Sequence, residues 1–202
     1  MRSLSIIILV FALVVSIATV APAQEEKTEK KAAPEKTAEV PKEVPIQIKE
    51  IEPFTYCALE MKGSYDQHGT AFNNLFAVAG SQRIPLDKAP FGIYLSDPSN
   101  TPEEELKWEV GIEITEGTEL KRPLVAKKWD HTTVVSKIYT GAFTEEAMGA
   151  VYGELMGWVE ENGYLVCGPS LERFLGEPEI DAKGGMSGTI EILFPVLKVK
   201  KQ

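Results

Sequence analysis

The chain has 202 residues, 44% of them hydrophobic and 25% charged, which predicts a folded globular protein of one domain or two small ones. Its net charge of −9 excludes nucleic acid as an expected partner, because binding to phosphates needs a basic surface. Two histidines and two cysteines are too few for a His-rich metal site or a zinc cluster, so we expect no metal and no cofactor.

The N-terminus has the pattern of a secretory signal peptide. A short positive start precedes an uncharged apolar run over residues 4–20, and Ala21-Pro22-Ala23 provides the small-x-small pattern of a cleavage site. We expect residues 1–23 to be removed and the rest of the chain to be secreted or periplasmic. The alternative is an uncleaved membrane anchor, since the apolar run is nearly long enough to span a bilayer.

Residues 24–50 are rich in Glu, Lys, Ala, Pro and Thr and contain no aromatic residue. A segment of this composition cannot bury enough apolar surface to offset the entropy lost on ordering. We therefore predict a flexible tether, followed by one folded domain over residues 51–202.

The first half of the folded part, about residues 51–120, has the pattern of a strand, a helix and two further strands. The first strand lies near Phe54–Met61, and Asp66 is placed to cap a helix whose apolar side chains recur at helical spacing. Two more strands are predicted over Pro90–Leu95 and over Trp108–Ile114, where apolar and polar residues alternate.

The second half, about residues 128–198, repeats this order. A strand over Thr132–Tyr139 precedes a helix capped by Thr144, and two strands follow, one around Glu172 and one over Gly188–Val196. Four pieces recur in register, each about 78–80 residues after its counterpart, which chance explains poorly.

The repeat predicts an α+β fold built by internal duplication. Two strand–helix–strand–strand units would share one antiparallel sheet, with both helices on one face. A ligand cleft is expected at the pseudo-twofold junction, because the meeting point of two units is a common binding site.

The strand around Glu172 carries an unusual carboxylate. Because alternate side chains of a strand share a face, Glu172 and Phe174 point the same way. The counterpart segment, which contains Tyr94, has Gly92 at the matching position, so the carboxylate belongs to one copy only. A carboxylate buried beside an aromatic needs a compensating partner. The alternative is an ordinary exposed glutamate.

Short motifs follow one another in a fixed order through the folded part: Phe91-Gly92-Ile93-Tyr94 with Asp97-Pro98, residues 104–114, 139–143 and 158–164, Gly168-Pro169, and Leu171-Glu172-Arg173-Phe174-Leu175. In this order they resemble the GyrI-like effector-binding family, whose relatives form the drug-sensing domains of some bacterial transcription activators. The fold of that family is a duplicated strand–helix–strand–strand unit, in agreement with the internal repeat.

The resemblance implies a ligand pocket. In the family, the glutamate at the Glu172 position faces cationic or polar aromatic ligands between aromatic side chains. The ligand-binding residues implied here are Glu172, Tyr94, Trp108, Phe174 and Phe143, although Tyr94 and Trp108 are equally explained as core aromatics. Some members instead hydrolyse strained cyclopropane rings with that glutamate. Phe174 and Phe143 stand where the family commonly has tyrosine, which disfavours catalysis here.

We therefore expect an exported, non-enzymatic protein that binds amphipathic aromatic, cationic or polar small molecules. One alternative is a hydrolase of strained electrophilic toxins in which Glu172 is the general base. A second is an envelope module that binds another protein, whose identity the sequence does not indicate. Membrane contact is expected only through an uncleaved signal.

Two further expectations concern single positions. Cys57 and Cys167 are free to form a disulfide if the protein is exported, although sequence alone does not give their separation. Glu191 is matched by Glu113 in the first repeat, and we interpret this pair as solvated sheet positions.

Overall fold

The computed structural model describes residues 44–182 and 185–199, and this part of the chain forms one ten-stranded antiparallel sheet with two α-helices. The predicted signal peptide and the tether as far as residue 43 lie outside the described residues. The strands are β1 (Gln47–Glu50), β2 (Phe54–Lys62), β3 (Phe91–Tyr94), β4 (Lys107–Glu113), β5 (Val125–Trp129), β6 (Thr133–Ala142), β7 (Tyr164–Val166), β8 (Ser170–Phe174), β9 (Glu179–Ile180) and β10 (Met186–Lys198), and the helices are α1 (His68–Ser81) and α2 (Glu145–Glu161).

Strand β1 corrects the predicted end of the tether. The tether was predicted to run to residue 50, but Gln47–Glu50 pairs antiparallel with β6, with Ile48 opposite Val135. Ile46 and Ile48 also pack against the core beneath α2. The composition of residues 24–50, averaged over the segment, concealed this short alternation of apolar and polar residues at its end.

The strand order repeats within the sheet. The main path runs β1-β6-β10-β8-β3-β4-β2-β5, so β2-β4-β3 and β6-β10-β8 have the same arrangement around the centre. The two units meet where β3 pairs antiparallel with β8. In that register Gly92 lies directly opposite Glu172, the position to which the sequence repeat matches it.

Both helices lie on one face of the sheet, which we call the helical face. Phe72 of α1 contacts Phe174 of β8, and Tyr152 of α2 contacts Glu172 of the same strand. Since residues 172 and 174 are two apart on one strand, their side chains lie on the same face of the sheet, and both helices therefore cover that face. The opposite face carries a second core, made of Tyr56, Ala58, Phe91, Ile93, Trp129, Val134, Leu171 and Leu193.

The two helices begin differently. The hydroxyl of Thr144 accepts a hydrogen bond from the backbone N–H of Ala147 at 3.2 Å, so the predicted cap of α2 is confirmed. The predicted cap of α1 is wrong, because Asp66 lies inside a 3-10 turn, Tyr65–Gln67, whose own cap is Ser64. This extra turn places Tyr65, and His68 at the start of α1, against the sheet.

The structure also bears on the predicted disulfide and on membrane spans. Cys57 is buried and Cys167 is exposed, and both are free thiols. Within the described residues, neither helix combines the length and the hydrophobicity that are needed to cross a bilayer.

Candidate functional site

Glu172 is a nearly buried carboxylate at the centre of the helical face, with 8% of its surface exposed. The hydroxyl of Tyr94 donates to Oε2 at 2.6 Å, and the hydroxyl of Tyr152 donates to Oε1 at 2.8 Å. No lysine or arginine of the described residues forms an ion pair with it. Two neutral hydroxyls, rather than a cation, therefore hold this carboxylate.

The position of Tyr94 depends on Gly92. A Cβ atom at residue 92 would lie 3.0 Å from the Tyr94 hydroxyl oxygen and 3.3 Å from Cζ. Residues 92 and 94 share a face of β3, and residue 92 lies opposite Glu172. The missing side chain therefore lets the phenol ring extend over the junction and place its hydroxyl on the carboxylate of the other unit.

Tyr152 reaches the carboxylate from α2. It belongs to the apolar stripe of that helix, beside the buried residues Val151 and Leu155, and the sequence pattern explained it as a core residue. Its ring packs edge-on against Phe194, whereas its hydroxyl reaches Glu172. The available sequence signal was a hydroxyl-bearing side chain on an otherwise apolar stripe, since a buried tyrosine hydroxyl usually has a partner.

A second layer of polar groups supports the tyrosines. Nε2 of His68 lies 2.8 Å from the Tyr94 hydroxyl, and the Ser170 hydroxyl lies 3.3 Å from that of Tyr152. The ring of His68 packs on Trp108 with centroids 4.7 Å apart. His68 and Ser170 were not predicted as site residues, because contacts between distant elements leave no local pattern in the sequence.

The electrostatics follow from burial. Burial raises the pKa of Glu172, and the hydrogen bonds from Tyr94 and Tyr152 reduce this rise only in part. Burial, and then the charge of Glu172, raise the pKa of both tyrosines well above the ordinary value. Burial lowers the pKa of His68 to about 4, against smaller opposing effects. At neutral pH the tyrosines and the histidine are therefore uncharged, so any charge among these four side chains belongs to Glu172.

Aromatic rings continue from the carboxylate towards solvent. Phe174, two residues after Glu172 on the same face, contacts Phe72 at 5.0 Å and Phe143 at 6.0 Å between ring centroids. All three phenylalanines are half-buried. They form an apolar surface beside the carboxylate, and we call these three rings and Glu172, Tyr94 and Tyr152 the junction site.

Trp108 has a different position from the other four predicted residues. It is 1% exposed, and its indole N–H donates to the carbonyl of Gly63 at 3.0 Å. It contacts Tyr65 and His68 rather than Glu172. Of the predicted residues, Glu172 thus contacts Tyr94, and Phe174 contacts Phe143. Trp108 instead lies behind His68.

A separate depression of about 290 Å³ lies at the ends of β6, β8 and β10. Its walls are Thr140, Gly141, Leu175, Gly176, Glu177, Glu179, Ser187, Gly188 and Thr189. It therefore contains none of the five predicted ligand-binding residues. The described residues contain no group of three or more His, Cys, Asp and Glu side chains placed to hold a metal ion.

Solved structures with a similar fold include a complex of EcmrR with DNA and a hydrolase. EcmrR in a complex with DNA superposes with a TM-score of 0.64 at 18% identity, over 77% of this chain and 58% of the EcmrR chain. The EcmrR C-terminal domain gives 0.58 at 19%, over 77% of this chain and 98% of that domain. A hydrolase encoded by lin2189 from Listeria innocua superposes with a TM-score of 0.57 at 12% identity, over 75% of this chain and 91% of the hydrolase chain. At these identities the similarity establishes the fold.

The family assignment comes from the sequence itself. No curated protein sequence matches the chain. The family model described as GyrI-like small molecule binding domain matches residues 45–197, which include both repeats and the whole junction site. The chain therefore belongs to the GyrI-like small molecule binding domain family, which confirms the resemblance carried by its motifs.

Proposed function

We propose that this protein binds amphipathic aromatic compounds, cationic or polar, at the junction site. The observation that carries the proposal is the set of partners of Glu172, a nearly buried carboxylate held by two neutral hydroxyls. The other two buried glutamates, Glu109 and Glu191, each form an ion pair with a lysine. Among the buried carboxylates of the described residues, Glu172 is thus the one that an external cation can neutralise.

The energetics favour a cation with aromatic groups. A buried charge without a counter-charge is costly, so a ligand cation beside Glu172 gains a strong, weakly screened attraction. The face of the Tyr94 ring adds cation–π attraction. Aromatic groups of the ligand would pack on Phe72, Phe143 and Phe174, each of which still exposes part of its ring.

Ligand entry requires movement of the covering tyrosines. Both carboxylate oxygens accept hydrogen bonds from Tyr94 and Tyr152, so these rings lie between Glu172 and solvent. Tyr152 belongs to α2 and Tyr94 to the sheet, so a small shift of the helix would open the site between them. The half-buried phenylalanines lie beside this opening.

A matched set of ions tests the proposal. Calorimetric titration of the purified protein would use tetraphenylphosphonium, the similarly shaped anion tetraphenylborate, and neutral triphenylphosphine oxide. We expect the cation to bind most tightly and the anion not to bind, because the site contains one uncompensated carboxylate. Absence of tetraphenylphosphonium binding, or equal binding of both ions, would contradict the proposal.

A second candidate function is hydrolysis of strained electrophiles. The observation that favours it is the raised pKa of Glu172, since a general base is most effective when its pKa approaches the working pH. Glu172 would accept a proton from a water molecule as the water oxygen bonds to a ring carbon. A strained C–C bond of the ring breaks in the same step, and its electron pair passes to the electron-withdrawing group conjugated to the ring in the substrate. Product analysis after incubation with a cyclopropane-bearing alkylator distinguishes the two functions. A ring-opened product that Glu172→Gln no longer forms supports hydrolysis, and unchanged compound excludes it for that substrate.

Export completes the proposed function. It is supported by the apolar run over residues 4–20 and by Ala21-Pro22-Ala23. Mass spectrometry of the protein purified from its own cells is expected to give a mature N-terminus at Gln24, in a secreted or periplasmic fraction. An intact N-terminus in the membrane fraction would support an uncleaved anchor instead.

A further inference from the structure

We propose that His68 is a positioning residue of the junction site. Its imidazole ring contacts Tyr94, which contacts Glu172, so the tautomer of His68 and the charge of Glu172 change together. The inference rests on the proposed function for its relevance to ligands. Its physical basis is a continuous chain of contacts from His68 to Tyr94 to Glu172.

The geometry of this chain is short at both steps. Nε2 of His68 lies 2.8 Å from the Tyr94 hydroxyl oxygen, and that oxygen lies 2.6 Å from Oε2 of Glu172. The Tyr94 ring occupies the space that a side chain at residue 92 would fill. His68 is itself held by Trp108 and by Tyr65, whose ring centroids lie 4.7 Å and 6.1 Å from its own.

Counting hydrogens gives the arrangement for an ionised Glu172. A carboxylate only accepts, so the single proton of the Tyr94 hydroxyl must point to Oε2. The Tyr94 oxygen then faces His68 as an acceptor. A neutral imidazole has one N–H and one bare nitrogen, so the contact with Tyr94 favours a proton on Nε2, whereas the Tyr65 carbonyl, which also accepts from the ring, favours a proton on Nδ1.

A protonated Glu172 reverses the chain. The carboxyl group then donates from Oε2 to the Tyr94 oxygen, and the Tyr94 proton turns to Nε2 of His68. Nε2 must now be the bare nitrogen and Nδ1 carries the proton, with the Tyr65 backbone as a neighbouring hydrogen-bond partner of the ring. One proton gained by Glu172 therefore moves the histidine from one tautomer to the other, without charging it.

The competing route through the other oxygen is weaker. A proton on Oε1 would face Tyr152, whose hydroxyl would turn to Ser170 across 3.3 Å. A bare imidazole nitrogen at 2.8 Å is a better acceptor than a serine hydroxyl at 3.3 Å. The His68 side is therefore the favoured path for the reversal.

Other titratable groups lie close to this chain of contacts. The titratable groups that face Glu172 are Tyr94 on β3, Tyr152 on α2 and Tyr65 in the 3-10 turn. Asp66 lies near His68 and slightly favours its charged form. Burial nevertheless holds the pKa of His68 near 4, so above that pH the ring stays uncharged and only its tautomer changes.

The coupling has a consequence for the ligands. With Glu172 ionised, the site presents a negative charge and suits a cation. With Glu172 protonated, it presents a neutral carboxyl O–H, which suits an uncharged ligand that accepts a hydrogen bond. A bound cation would therefore favour the tautomer of His68 with the proton on Nε2.

Nuclear magnetic resonance of the ligand-free protein tests the coupling directly. ¹⁵N-labelled histidine reports which ring nitrogen of His68 carries the proton, and ¹³C-labelled glutamate side chains report the titration of Glu172, whose signal is identified by its absence in Glu172→Gln. We expect Nε2–H above the Glu172 midpoint and Nδ1–H below it, with coincident midpoints. A single tautomer through the whole Glu172 titration would overturn the proposal.

Two variants separate the coupling from simple packing. Tyr94→Phe keeps the ring and removes the connecting hydroxyl, so the His68 tautomer should no longer follow Glu172. Ser170→Ala is the matched control on the other oxygen and should leave the coupling intact. Coupling that survives Tyr94→Phe would also overturn the proposal.

Addition of tetraphenylphosphonium separates this proposal from the proposed function. At a pH where both tautomers are populated, a saturating concentration should shift His68 to the Nε2–H form. Absence of binding, with the ligand-free coupling intact, would contradict the proposed function alone. Binding that leaves the tautomer populations unchanged would contradict the coupling.

Discussion

Two buried glutamates on opposite faces of the same sheet have opposite environments. Glu172 on the helical face accepts hydrogen bonds from Tyr94 and Tyr152, and burial raises its pKa. Glu191 is 7% exposed on the other face and is paired with Lys49 and Arg173. Burial alone would raise the pKa of Glu191, but its partners outweigh this effect and lower it. The exposed surface of the two residues is similar, but the Glu172 carboxylate lies deeper, so its pKa differs from that of Glu191 through both deeper burial and the lack of a cation.

The difference corrects one interpretation of the sequence. Glu191 was interpreted as a solvated sheet position because its match in the first repeat is also a glutamate. It is instead a buried partner of β1, since Lys49 belongs to that strand and Ser136 on β6 donates to the same carboxylate at 2.8 Å. We infer that Glu191 stabilises the fold, whereas Glu172 is available to a ligand.

The largest effect on stability is expected for Glu191→Gln. The amide keeps the shape but removes the charge that Lys49 and Arg173 neutralise, and a hydrogen bond to a charged group is worth about 1.5–3 kcal/mol. Each kcal/mol corresponds to roughly 2–4 °C in melting temperature for a domain of this size. Thermal unfolding at neutral pH should therefore show a clear decrease.

The pH dependence gives the sign of this contribution. Because the folded-state pKa of Glu191 is lowered, its stabilisation is present above the unfolded-chain pKa of about 4.3 and is lost as the pH falls through the folded value. The difference between wild type and Glu191→Gln should shrink in acid. A variant as stable as wild type at neutral pH would show that the ion pairs contribute nothing.

Glu172→Gln should have the opposite sign. A buried carboxylate without a counter-charge destabilises the ligand-free protein, so the neutral amide should raise stability at neutral pH by about 1 kcal/mol, the lower end of the gains from replacing buried charges. With a raised folded-state pKa, stability falls as the pH rises from about 4.3 through the folded value. The gain should therefore vanish below that window. A lower melting temperature at neutral pH would contradict this assignment.

The smallest effect is expected for Gly92→Ala. The added Cβ would press on the Tyr94 hydroxyl oxygen at 3.0 Å and displace it from Glu172. The displaced ring would no longer offer its face to the cation, so tetraphenylphosphonium binding should weaken by about 0.5–1 kcal/mol, or roughly two- to fivefold. Gly176→Ala is the control, because nothing lies within 4 Å of its Cβ position. Equal effects of the two substitutions would remove the role assigned to Gly92.

Much of the fold could be predicted from the sequence, because it depends on local periodicity and on the repeat. The alternation in Trp108–Ile114 and the cap at Thr144 are local signals, and both correspond to observed elements. Strands β5, β7 and β9 were not predicted. β7 and β9 have only three and two residues, and β5 reads Val-Ala-Lys-Lys-Trp, without alternation of apolar and polar residues, so none has a strong pattern of its own.

The site was predictable only in part. Gly92 and Glu172 could be matched by the repeat, and the register of β3 and β8 places them opposite each other. The contacts of Tyr152, His68 and Ser170 connect four different elements across the junction. Such contacts arise from tertiary packing, which no periodicity in one sequence encodes.

The most direct test of the account is the affinity of tetraphenylphosphonium for wild type, Glu172→Gln and Glu113→Gln, measured by calorimetry at neutral pH. Glu113 is a half-buried glutamate on β4, so its substitution removes the same charge outside the junction site. We predict at least a roughly tenfold loss of affinity for Glu172→Gln, since a charge-assisted contact is worth about 1.5–3 kcal/mol, and almost no change for Glu113→Gln. Equal losses in the two variants would mean that an acidic protein attracts the cation in general, and would contradict the role of Glu172.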